Sequence, residues 1–240
     1  MDATVTFGGA AAWIAGELLK PQIAPSRCRW CDVNGVDAAA RRTFVWSDTA
    51  QAGTISDVTG FILVPLAAIG VNAMAAAHDG VTGNVPEDTL LVAEAGAVAA
   101  DLDQIAKLLV GRERPFVYAL PPEEKPHSPD DNLSFYSGHA TETFALAAAS
   151  GTIAEMRGYR WAPTVWATGG VLAAATGYLR IAADRHWLTD VVVGAVVGAG
   201  VGFAVPYLFH SAVDEPTRTA AFTIRGAHFP SGGPTMTFVW

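Results

Sequence analysis

Long uncharged stretches alternate along this chain with short polar breaks. Three stretches stand out: 58–77 (VTGFILVPLAAIGVNAMAAA), 161–179 (WAPTVWATGGVLAAATGYL) and 191–213 (VVVGAVVGAGVGFAVPYLFHSAV). Each is long enough to cross a bilayer as a helix, which takes about 20 residues. Each is also rich in Ala and Gly, small side chains that let helices pack closely in lipid or in a buried bundle. The pattern predicts helices and leaves both surroundings open. The stretch 89–109 reads differently. Leu91, Ala95, Val98, Leu102, Ile105 and Leu109 recur at helical spacing, while Glu94, Asp101, Asp103, Gln104 and Lys107 fall on the other side. That predicts an amphipathic helix in partial contact with solvent, not one embedded in lipid. Gly111 and Pro115 end it, because the residue before a proline avoids the helical region.

The breaks predict loops. Residues 120–132 (LPPEEKPHSPDDN) are rich in proline and acid and read as a solvated loop, and 78–88 (HDGVTGNVPED) closes with Pro-Glu-Asp at a helix start. The tail alternates weakly around a Gly-Gly turn, which predicts a short β-hairpin over 217–240. No internal repeat or low-complexity linker interrupts the chain. The expected fold is all-α: a helical bundle with a short C-terminal β-hairpin, in one domain over 1–240. Residues 1–55 read as an N-terminal helical extension carrying a CxxC.

Composition sharpens this in two places. Of 240 residues, 51% are hydrophobic and 16% charged, well under the roughly 25% charged residues of ordinary globular chains. A chain like this buries an unusual share of its surface or touches a membrane. Its net charge of −8 excludes general nucleic-acid binding. The only cysteines, Cys28 and Cys31 in CRWC, have no second pair to complete a zinc ribbon; plain thiols and a short disulfide in an oxidising compartment both stay open. No basic-then-apolar leader opens the sequence. His78, His127, His210 and His228 show no ligand spacing, so no metal site is expected.

Three polar clusters carry candidate chemistry. In KLLVGRERP, Lys107 and Arg114 are seven apart, about two helical turns, so both cations can serve one volume. Taken alone, such a basic last turn commonly just complements the helix dipole. In FYSGHATETF, Ser137, Gly138 and His139 stand where a helix starts, and unpaired amides there attract anions. His139 adds a proton donor that titrates near neutrality; the plainer reading is Ser137 as an ordinary N-cap. In RIAADRHWLTD, Arg180 ends one helix, and His186 and Asp190 are four apart, helical neighbours able to form an oriented imidazole–carboxylate pair. Together the clusters supply what phosphoryl transfer requires: cations for the non-bridging oxygens, a nucleophile and an acid for the leaving group.

In this order the trio resembles the signature of the type 2 phosphatidic acid phosphatase superfamily, which also holds bacterial non-specific acid phosphatases and vanadium haloperoxidases. That signature is Lys-x6-Arg-Pro, then Pro-Ser-Gly-His, then Ser-Arg-x5-His-x3-Asp. The first part is intact at Lys107, Arg114 and Pro115; Tyr136 replaces the proline of the second and Leu179 the serine of the third. The resemblance spans about residues 100–195. It implies an all-helical fold of the acid phosphatase/vanadium haloperoxidase type and a metal-independent phosphatase without cofactor, in which vanadate would bind as a phosphate analogue. Lys107, Arg114, Arg180, Ser137 and the Gly138 amide would hold phosphate. His186 would attack to form a phosphohistidine, Asp190 would orient it, and His139 would protonate the leaving alcohol and later activate water. The implied substrate is a phosphorylated small molecule or a lipid phosphate or diphosphate. The implied setting is the bacterial cell envelope, with membrane contact and an extracytoplasmic site. A vanadate-dependent haloperoxidase uses almost the same cradle, but such enzymes are typically much longer. Arg112 and Arg185 lie near the pattern and read as solvated or paired with the acidic loop.

Overall fold

The computed structural model, which describes residues 2–125 and 128–209, turns almost all of the described part of each uncharged stretch into helix. In chain order the helices are α1 (Asp2–Ile23), α2 (Gly35–Phe44), α3 (Thr49–Val58), α4 (Val64–His78), α5 (Val85–Val110), α6 (Pro115–Tyr118), α7 (Gly138–Met156), α8 (Ala162–Ala182) and α9 (Leu188–Phe209). No sheet forms among the described residues beyond an isolated bridge between Trp30 and Arg112. The all-α expectation stands. The hairpin expected over 217–240 lies outside the described residues.

Helix α7 is the centre of the bundle. Apart from His139, Glu142 and Glu155 it is apolar or small on every side, the pattern of a largely buried helix, and packs against α4, α5, α8 and α9. Gly194, Gly198 and Gly202 line the face of α9 that meets it. A Cβ on Gly198 would collide with the Thr141 carbonyl, and one on Gly202 with that of Ala145. The missing side chains let the two backbones approach closely. Ala68, Leu91, Val92, Ala95, Ala149, Ile153 and Val205 fill the core where α4, α5, α7 and α9 meet. Asn72 Nδ2 donates to the Ser150 carbonyl (3.1 Å) and Ser150 Oγ to that of Ala68 (2.7 Å), tying α4 to α7.

Between α3 and α4, residues 59–63 form one π turn, with the Val64 N–H reaching back to the Thr59 carbonyl. Pro65 explains it: proline has no N–H for the carbonyl four residues back, and its ring crowds that turn. The path nevertheless continues from Thr49 to His78. Among the described residues, this helix and Leu188–Phe209 are long and apolar enough to cross a membrane. Large apolar side chains stand exposed on the outer faces of several helices: Phe7 and Leu18 on α1, Leu66 on α4, Val171 on α8 and Val196 on α9.

Helix α5 departs from expectation. It is amphipathic, but Glu94 and Asp103 on its polar side are buried, while Leu102, Ile105 and Leu109 along its C-terminal half are exposed. The stripe is therefore split: Leu91 and Ala95 meet the core while its C-terminal end faces outward, and period alone does not say where that change falls. With that end outward, α5 no longer argues against lipid contact.

Cys28 and Cys31 are joined in a disulfide. Their loop is sewn to the end of α5: Arg29 NH1 donates to the Leu108 and Leu109 carbonyls (3.0 Å each), and the Arg29 amide donates to Gly111 (2.9 Å). The 120–132 loop is exposed over 121–124, as expected, but its end is not solvated. Asp131 and Asn132 are buried, and the Arg114 amide donates to the Asp131 carbonyl (2.9 Å).

Candidate active site

Lys107, Arg114, Gly138, His139, Arg180 and His186 line one cavity of about 560 Å³. They come from three segments of the chain, and the fold brings them together at one end of α7. Ser137 and Asp190 stand immediately behind the wall, both fully buried.

Each cation is held differently. Lys107, on the last turns of α5, pairs with Asp103 one turn earlier (Nζ–Oδ2 2.7 Å). Arg114 lies just past the helix in extended conformation, as Pro115 requires. Its Nε donates to the Asp130 carbonyl (2.8 Å) and its NH1 to that of Arg185 (3.1 Å), while NH1 also stands 3.4 Å from His186 Nε2. Arg180 donates from NH1 to Ser56 Oγ (3.3 Å) and Asp57 Oδ1 (3.2 Å), and its Nε has no partner among the described residues.

The helix-start segment is built for close approach. A Cβ on Gly138 would lie 2.8 Å from both Asp103 Oδ2 and Lys107 Nζ, so glycine lets α7 begin directly against the Lys107–Asp103 pair. Ser137 is the N-cap residue, but its side chain makes no cap bond, and Oγ is buried without a partner among the described residues. An ordinary cap would bond the helix amides. The Ser137 amide is not free as expected, since it donates to the Asp190 carbonyl (3.1 Å). Gly138 and His139, at the first helical positions, have no carbonyl a turn earlier in the helix to bond.

The histidine–carboxylate pair also differs from expectation. His186 precedes α9 rather than lying on it, so it does not stack on Asp190 as a helical neighbour. Its Nδ1 bonds the Ser134 carbonyl at 2.8 Å, with the nearest Asp190 oxygen 3.7 Å away. This bond makes Nδ1 the protonated nitrogen and leaves the Nε2 lone pair toward the cavity. Asp190 acts one step back: Oδ2 accepts from Ser134 Oγ (2.6 Å) and from the Trp187 amide (3.0 Å), the reach of an N3 side chain to the N-cap. Burial, reinforced by Arg114 and Arg180, holds the His186 ring well below the ordinary histidine value. The imidazole is neutral.

Several residues here were not legible. Arg112 is not solvated or paired with the acidic loop. It is buried, donates to Asp190 Oδ1 (2.5 Å) and Asp37 Oδ2 (2.6 Å), and lies 4.1 Å beneath the Trp30 ring. Arg185 pairs with no acidic side chain among the described residues; it lines the cavity with its guanidinium 5.1 Å from the Phe116 ring. Asp57 accepts from both Arg180 and His139, and Glu142 lines the cavity one turn beyond His139. Asp103, likewise not singled out as a site residue, did have a local signal, its four-residue spacing from Lys107. Tyr136 and Leu179, the two departures from the resembled signature, are buried and line none of the cavity. Among the described residues no group of three or more His, Cys, Asp or Glu side chains is placed to hold a metal ion.

Comparison with known proteins gives a family. The model of the PAP2 superfamily matches residues 88–214. No curated protein matches the sequence. A solved structure described as the first transmembrane PAP2-type phosphatidylglycerolphosphate phosphatase from Bacillus subtilis shares the fold, with a TM-score of 0.53 at 19% identity. The match covers 83% of this chain and 94% of that one.

Proposed function

This chain belongs to the PAP2 superfamily, and on that premise we propose that it is a membrane-associated phosphatase that releases inorganic phosphate from a lipid phosphate ester. One observation carries the reading: three cations and two imidazoles meet around one cavity, with the Ser137 hydroxyl, unpartnered among the described residues, buried just behind its wall. Lys107, Arg114 and Arg180 hold the non-bridging oxygens, with Ser137 Oγ and the Gly138 amide completing the cradle. His186 Nε2 attacks phosphorus as the ester P–O bond breaks, and His139 gives a proton to the departing oxygen, so an alcohol leaves. Water then attacks the phosphohistidine, passing its proton to His139; the P–N bond breaks and phosphate is freed. Asp190 holds Ser134, whose carbonyl fixes the His186 tautomer. No step needs a metal.

The lipid class rests on the two long apolar helices and the exposed apolar side chains, in line with the transmembrane neighbour. The disulfide loop bonds directly to the segment that carries Arg114. Disulfides persist in oxidising compartments, which supports a site opening to the extracytoplasmic side.

A hydrolysis panel tests this reading. Wild-type protein in detergent should release phosphate from phosphatidylglycerolphosphate, phosphatidic acid and p-nitrophenyl phosphate. Orthovanadate should inhibit competitively, and a chelator should leave the rates unchanged. Absence of phosphate release from all three substrates would refute it.

A further inference from the structure

Resting on the phosphatase reading above, we propose that Asp57 is a positioning residue for His139. It holds the ring by Nε2, so that Nδ1 is the nitrogen that exchanges the proton with the leaving oxygen. The geometry is direct. His139 Nε2 lies 2.8 Å from Asp57 Oδ1. The adjoining carbon, Cδ2, faces Gly60, where an added Cβ would come within 3.0 Å, and Phe61 meets the ring edge-on with centroids 4.5 Å apart. One edge of the imidazole is thus clamped by the α3 end and the π turn that follows it. Nδ1 has no hydrogen-bond partner among the described residues, and the residue lines the cavity.

Electrostatics gives the carboxylate a task. Burial, and then the cations Arg180, Lys107 and Arg114, all disfavour a protonated ring at this position. A general acid must nevertheless carry a proton. Asp57 is the carboxylate in contact with it, and the same Oδ1 accepts from Arg180 NH1 at 3.2 Å, so one group sets both the acid and a phosphate-binding guanidinium. The proton then follows one path: from Nδ1 to the ester oxygen as the P–O bond breaks, and from water back to Nδ1 as the P–N bond breaks.

The test is Asp57→Asn, measured as kcat/KM on p-nitrophenyl phosphate, whose leaving group departs without help, and on short-chain phosphatidic acid, whose alkoxide needs a proton. The expected loss is at least tenfold larger on the phosphatidic acid. KM should change less than threefold, and Asp57→Glu should recover most of the loss. In a His139→Ala background, Asp57→Asn should add no further difference between the two substrates. Equal losses on both would overturn the proposal in favour of a structural role. A lowered KM at unchanged kcat would also overturn it, because Asp57 would then be only an anion competing with phosphate. Should Asp57→Asn fail to fold, Asp57→Ser and Asp57→Glu face the same two-substrate comparison. If wild-type protein hydrolyses neither substrate, the phosphatase reading fails, not this assignment.

Discussion

His186 shows how much a single side chain depends on neighbours that its sequence context hides. Its ring is neutral because it is buried near Arg114 and Arg180, and its tautomer is set by a backbone carbonyl, that of Ser134. Neutrality has a thermodynamic consequence. Below about pH 6.5, the ordinary histidine value, the unfolded chain binds a proton at His186 that the folded chain does not. Stability therefore falls as pH drops through that value, and between pH 7 and 5 His186→Gln should lose less Tm than wild type. An equal loss would show a charged ring in the fold. Arg112 gives a second prediction. It joins Asp37 to Asp190 inside the protein, and removing one partner of such a set costs about 3–5 kcal/mol because a buried charge is left uncompensated. Arg112→Met should lower Tm by roughly 10 °C in a chain of this size, read by thermal unfolding. At this scale the sequence exposed the cations and imidazoles, because their types and spacing are local. It hid Asp57, Asp37 and Ser134, whose partners are 52 to 152 residues away in the chain.

At the scale of elements, helix positions followed from the runs of small apolar residues and the prolines that bound them. Their orientations did not. The apolar stripe on α5 was visible, but its exposed outer end was not, because a periodic pattern reads the same whether its apolar face meets core or lipid. The glycines of α9 show the same limit. Gly198 and Gly200 look alike in sequence, yet a Cβ at 198 would strike the Thr141 carbonyl while one at 200 would meet open space. Gly198→Ala should separate α7 from α9, lowering both Tm and phosphate release. Gly200→Ala should leave activity intact and raise stability by up to about 1 kcal/mol through helix propensity. The reverse order of stabilities would show that the α7–α9 packing is misdescribed.

For the whole molecule, one arrangement links setting to chemistry. Apolar side chains cover outer helix faces while three cations and two imidazoles line a cavity at one end of α7. Exposed apolar area of this kind marks a binding or membrane surface, so the protein should stay in the membrane pellet through alkaline carbonate extraction. Release into the supernatant would mean the apolar faces meet something other than lipid. The low charge content already pointed to this choice without deciding it, and the outward face of α5 tips it toward lipid. What joins the levels is the proposed covalent bond between His186 and phosphorus, and a trapping experiment looks for it directly. Wild-type protein mixed with a 32P-labelled lipid phosphate and quenched in base should carry a base-stable, acid-labile label on the peptide containing His186, absent from His186→Ala. Phosphate release without any labelled protein, or a label that persists in His186→Ala, would contradict the account.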